Sequence, residues 1–122
     1  CRIWVGADGE MKIGDDNTNI KVVVKDISST GIAIVCDART EVGLGDVITV
    51  SFKDEKTKQE FHLKAAVVRH EEAEHKRMIY GCKFGQESDA VLKYVYSKQR
   101  DNLRATRTIS IKKDDQDRYT YG

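Results

Sequence analysis

Ile20-Lys21-Val22-Val23-Val24-Lys25-Asp26-Ile27-Ser28-Ser29-Thr30-Gly31-Ile32-Ala33-Ile34-Val35-Cys36 sets two runs dense in β-branched residues on either side of a polar middle. Val, Ile and Thr at this density pack well on a pleated surface, so Ile20 to Lys25 and Ile32 to Cys36 read as strands. The six residues Asp26 to Gly31 then form a corner between them. Asp26 and Ser28 have side chains that bond nearby backbone amides, and Gly31 tolerates a positive φ. A carboxylate two residues from a hydroxyl is also an acceptor and donor pair matched to the amino and imino edge of a guanine.

Working outward, the same alternation recurs. Val47 to Phe52 places Ile48, Val50 and Phe52 on one face with Thr49 and Ser51 on the other. Glu60 to Val68 turns Phe61, Leu63, Ala65 and Val67 inward, and Met78 to Phe84 groups Met78, Tyr80, Cys82 and Phe84. Gly43-Leu44-Gly45-Asp46, Asp54-Glu55-Lys56-Thr57 and Glu71 to Lys76 are polar connections. Upstream, Arg2 to Ile13 reads as a first strand bent or bulged at Gly6 and Gly9. Short strands at regular spacing imply a small antiparallel barrel.

After Gly85 the period lengthens to that of a helix. Ser88 is placed as N-cap with Asp89 in the first turn, and Val91, Leu92, Val95, Tyr96, Gln99 and Leu103 share a stripe. Lys98, Arg100 and Arg104 complement the helix C-terminus and read as solvated. Residues 105–122 read as a polar tail, disordered or extended.

The chain has 122 residues, 39% hydrophobic and 34% charged, with 21 Lys and Arg against 20 Asp and Glu. That is one domain's worth of globular protein with no global field to draw in nucleic acid or a membrane. No apolar run has the length of a span or a secretory core, so the expectation is a cytoplasmic protein without membrane insertion. Cys1, Cys36 and Cys82 lack C-x-x-C spacing and fit reduced thiols. His62, His70 and His75 have no partners at metal or nucleophile spacing, so no catalytic residue, metal or cofactor is expected.

The spacing D-x-S-x-x-G in Asp26, Ser28 and Gly31 resembles a signature of the PilZ domain, a bacterial receptor for cyclic di-GMP. The segments G-L-G-D-V, A-A-V-V-R and Y-G-C-K-F are similar to its later strands, and the resemblance covers residues 2 to about 104. It implies a mainly β, six-stranded antiparallel barrel with a C-terminal helix over residues 1–104. Arg2, just before Ile3-Trp4-Val5, stands where the second arginine of the family's R-x-x-x-R would stand. The chain opens on Cys1 and so reads as a fragment, and the position of the first arginine would fall upstream of Cys1, outside this sequence. The implied ligand set is Arg2, Asp26, Ser28, Gly31 and Lys83. Lys83, like Arg69, reads equally as the outward residue of a half-buried strand, and Trp4 reads as core or barrel rim rather than as a stacking platform.

The family implies a receptor that relays cyclic di-GMP by conformational change to a fused domain or effector protein controlling motility, exopolysaccharide or attachment. The alternatives are a degenerate PilZ domain serving as an interaction module, and an unrelated barrel binding single-stranded nucleic acid. One Trp, five Tyr and three Phe give the latter no stacking row.

Overall fold

The structure, a computed structural model, describes residues 2–113, with side chains described for residues 2–101. The strands are β1 (Arg2–Ile13), β2 (Ile20–Ser28), β3 (Gly31–Asp37), β4 (Val47–Lys53), β5 (Glu60–Ala73) and β6 (Arg77–Phe84), followed by α1 (Asp89–Lys113). All pairings are antiparallel, and the order β1-β2-β3-β6-β5-β4 closes on itself. The mainly β, six-stranded architecture read from the alternation is the observed one. Its interior is filled by the alternating apolar positions, with Val24, Ile27, Ile34, Ile48 and Val50 fully enclosed.

Closure is partial along β1. Gly9 to Ile13 pair with β4, whereas Arg2 to Trp4 pair only with the end of β2. The strand shifts register between Trp4 and Ala7, where Gly6 takes φ +65°, so the bend expected at the glycines is present. The leading residues of β1 are thus carried past the closed part of the ring, beside the β2–β3 hairpin.

Helix α1 starts on Ser88, whose Oγ accepts from the Val91 amide at 3.4 Å. Its buried face is Val91, Tyr94 and Val95, while Tyr96 is exposed. The stripe is therefore rotated from the one read in the sequence, and the cause is Tyr94. Its ring lies 4.9 Å from that of Phe61 and its hydroxyl donates to Asp54 at 2.7 Å. Asp54 is not a solvated loop residue. It is 5% exposed and accepts from the amides of Lys56 (2.8 Å) and Thr57 (3.0 Å), while Lys98 Nζ approaches to 3.0 Å. Lys98 is therefore no free surface cation. Burial raises the Asp54 pKa, but the Thr57 amide, the Tyr94 hydroxyl and Lys98 outweigh it and hold the carboxyl well below its ordinary range. Burial and the same carboxylate push the Tyr94 hydroxyl up.

The helix continues through Lys113, past residue 104 where a tail was expected. The chain has no proline to stop it. Leu103 and Arg104 lie outside the described side chains, and residues 114–122 outside the described residues.

Candidate functional site

The D-x-S-x-x-G segment is a tighter turn than the six-residue corner read from it. Asp26, Ile27 and Ser28 belong to β2 and Gly31 to β3, leaving Ser29-Thr30 as the loop. Ser28 Oγ accepts from the amides of Thr30 (3.3 Å) and Gly31 (3.2 Å), closing the hairpin. Gly31 is not among the positive-φ glycines. Its bareness serves close approach instead, because a Cβ there would lie 2.3 Å from the Cys82 carbonyl oxygen. Ser28→Ala is expected to cost about 1 kcal/mol in chemical denaturation, the usual worth of such a bond.

Asp26 faces outward because of a bulge. Val24 and Ile27 both point into the core, and the β2–β3 register shifts between Val24 and Asp26. One extra residue lets both Lys25 and Asp26 stand on the outer face, which is how bulges re-aim side chains. Asp26 is 6% exposed and takes Arg2 Nη1 on one oxygen and Lys25 Nζ, at 3.3 Å, on the other. It bonds no neighbouring amide, unlike Ser28. A second bulge, between Val67 and Arg69 of β5, turns Arg69 outward as well.

The registers assemble these residues into two rows on the outside of the barrel. Trp4, Asp26, Ala33, Gly81 and Arg69 stand side by side across β1, β2, β3, β6 and β5. In the adjacent row Arg2 pairs with Ser28, and Gly31 with Lys83. Cross-strand neighbours lie about 5 Å apart, so side chains along each row can share one ligand. Gly31, Ala33 and Gly81 form a low floor between taller polar ends. The Arg69 side chain lies across that floor, since a Cβ on Gly81 would meet its Cζ at 2.7 Å.

A recess of about 200 Å³ opens here, lined by Arg2, Thr30, Arg69, Gly81 and Lys83 among others. It holds three cations and no carboxylate, an arrangement that attracts a compact anion such as a phosphate diester. A larger apolar groove of about 720 Å³ meets it at Lys83 and Val68 and runs toward the start of α1. The groove offers volume, but the cations and donors lie in the smaller space.

Cys82 borders the recess, but its side chain is buried in the core and burial pushes its thiol up to about 11, which favours the protonated form. Among the described residues no three His, Cys, Asp or Glu side chains group as a metal site.

Of the ligand set read from the sequence, Arg2, Asp26, Ser28, Gly31 and Lys83 lie on these two neighbouring rows. A family model described as the PilZ domain matches residues 2–97. The chain belongs to the PilZ domain family. PilZ domains are binding modules. No curated protein matches the sequence. The solved PilZ domain of YcgR from Escherichia coli with c-di-GMP is similar at a TM-score of 0.61 and 15% identity, over 95% of this chain and 96% of that one. YcgR from Escherichia coli in complex with c-di-GMP gives 0.72 at 15% identity, over 89% and 49%. The Bacillus subtilis inhibitor of motility MotI/DgrA gives 0.68 at 17% identity, over 82% and 50%. This PilZ chain thus spans about half the length of the latter two, and the likeness at these identities is one of fold.

Two residues at the PilZ face were left out of the sequence-derived set. Arg69 reads from the sequence as a ligand cation or as an outward strand residue. Strict alternation from Phe61 to Val67 would send it into the barrel, where an unpaired guanidinium is too costly to bury. That conflict was the legible sign of a bulge. Of the two readings of Trp4, core is excluded, because the ring is 70% exposed, and it stands at the rim at the end of the Asp26 row.

Proposed function

We propose that this PilZ domain binds cyclic di-GMP across the two rows and relays its presence to a fused domain or partner protein. The supporting observation is the recess of three cations beside a buried carboxylate that already accepts donors on both oxygens. A phosphate of the dinucleotide sits against Arg2, Arg69 and Lys83. The Asp26 carboxylate takes the N1–H and N2–H edge of a guanine, with the Ser28 hydroxyl alongside, and Gly31 keeps the floor low. Arg2 carries five N–H donors, so one nitrogen stays on Asp26 while others reach phosphate or the guanine O6 and N7. The recess is smaller than the roughly 300–1,000 Å³ of typical ligand pockets, so the rest of the ligand lies on the open face.

Binding moves Arg2 and the leading end of β1, which is free of β4, and that movement is the signal passed on. Its output is control of motility, exopolysaccharide synthesis or attachment, in the cytoplasm.

Isothermal titration calorimetry tests the reading. Cyclic di-GMP is expected to give saturable heat and cyclic di-AMP little, because adenine presents an acceptor at N1 where Asp26 needs a donor. Arg69→Ala is expected to weaken binding about tenfold, the loss of one charge-assisted bond, at unchanged melting temperature. Arg2→Lys should weaken it nearly as much as Arg2→Ala, since an ammonium lacks the planar fork. A folded chain giving no heat would mark a degenerate PilZ domain that acts as an interaction module.

A further inference from the structure

Trp4 is the only tryptophan in the chain, and it stands exposed beside the carboxylate assigned to a guanine edge. Three observations fix its surroundings. It is two residues from Arg2 on the same outer face of β1, opposite Asp26 in the β1–β2 register. Its Nε1 lies close to Gly6, where even an added Cβ would sit at 3.5 Å, so little crowds the ring from its own strand. Lys25 Nζ lies over the indole, 5.2 Å from the ring centroid, and is also 3.3 Å from Asp26 Oδ2.

That ammonium therefore does two things together. It donates to the carboxylate and it covers a π face. A guanine offers the same two properties in one flat body, an N–H edge for Asp26 and a face for the indole. Lys25 is a flexible side chain, 34% exposed, free to withdraw into water. We infer that Trp4 is the platform on which one guanine of the ligand stacks, and that Lys25 occupies the place of that base until the ligand arrives. The inference rests on the receptor reading above and adds a residue outside both signature motifs. The stack adds affinity that any base could gain, while the carboxylate contact supplies the choice of guanine over adenine.

The test combines calorimetry with indole fluorescence, both with cyclic di-GMP and the unmodified chain, Trp4→Ala and Trp4→Phe. Stacking on an aromatic side chain is worth enough that Trp4→Ala should weaken binding about tenfold, with Trp4→Phe recovering much of the loss. Emission of the unmodified chain should change saturably with the same midpoint as the heat. Heat from the unmodified chain with emission unchanged, or Trp4→Ala binding within twofold of it, would overturn this inference alone. No heat from the unmodified chain would overturn the receptor reading and this inference together. Trp4 is exposed, so its truncation leaves the core intact, and the fluorescence of the unmodified chain needs no variant.

Discussion

Asp54→Ala is expected to lower the unfolding free energy by about 3 kcal/mol in chemical denaturation, because it removes the common acceptor of a buried cluster. The Tyr94 hydroxyl and two turn amides would lose their partner, and Lys98 Nζ would be left half-sheltered without a counter-charge. The lower end of the range for broken buried pairs applies, since the Lys98 side chain is 24% exposed and recovers some water. Asp54→Asn should cost less, keeping an acceptor for the turn amides but not the charge. Acid should act in the same direction. The Asp54 pKa is depressed in the folded state, so its contribution is complete above the ordinary carboxylate value of 3.8 and is lost progressively as pH falls below it. The alanine variant should show a flatter acid limb than the parent.

Gly31→Val is expected to destabilise by about 2–3 kcal/mol and to weaken cyclic di-GMP binding at the same time, as overpacking against a fixed backbone does. The nearest atom to an added Cβ is the carbonyl oxygen of Cys82 at 2.3 Å, and no rotamer change can move it. Strands β3 and β6 would have to separate where Lys83 and the floor of the face are set. Gly31→Ala meets the same atom and should lie between the parent and the valine variant. Thermal unfolding and calorimetry on the pair check the coupling; an alanine variant that melts like the parent would contradict the close approach.

The barrel was legible because its strands alternate cleanly, as in Ile48-Thr49-Val50-Ser51-Phe52, and because each run ends at turn residues. The candidate face was legible only where residue types carried it. Asp26, Ser28 and Gly31 were found by spacing, but Gly31 was assigned a dihedral reason where the actual one is a neighbouring strand. That neighbour is 51 residues away in Cys82, and no local pattern announces it.

Bulges account for most of what was missed. Each inserts one residue into a period of two, so alternation counted through it assigns the wrong face from there on. Strict alternation past Val67 would face Arg69 inward where the structure has it outward, and the β2 bulge brings Lys25 onto the outer face with Asp26 and Trp4. Asp54 was missed for a different reason. A carboxylate in a D-E-K-T turn looks solvated until a helix arriving 40 residues later brings Tyr94 and Lys98 to it.

The ring of strands also has a kinetic side. Gly9 finds Phe52 in β4, and Gly31 finds Lys83 in β6, so both pairings that complete the circle join distant parts of the chain. Loop-closure entropy must be spent before either contact gives anything back, which places refolding in the range of milliseconds to seconds. Until β1 meets β4, the hairpin bearing Asp26 and Ser28 has no finished barrel behind it. The candidate face should therefore be among the last parts of the molecule to mature, in step with closure rather than ahead of it.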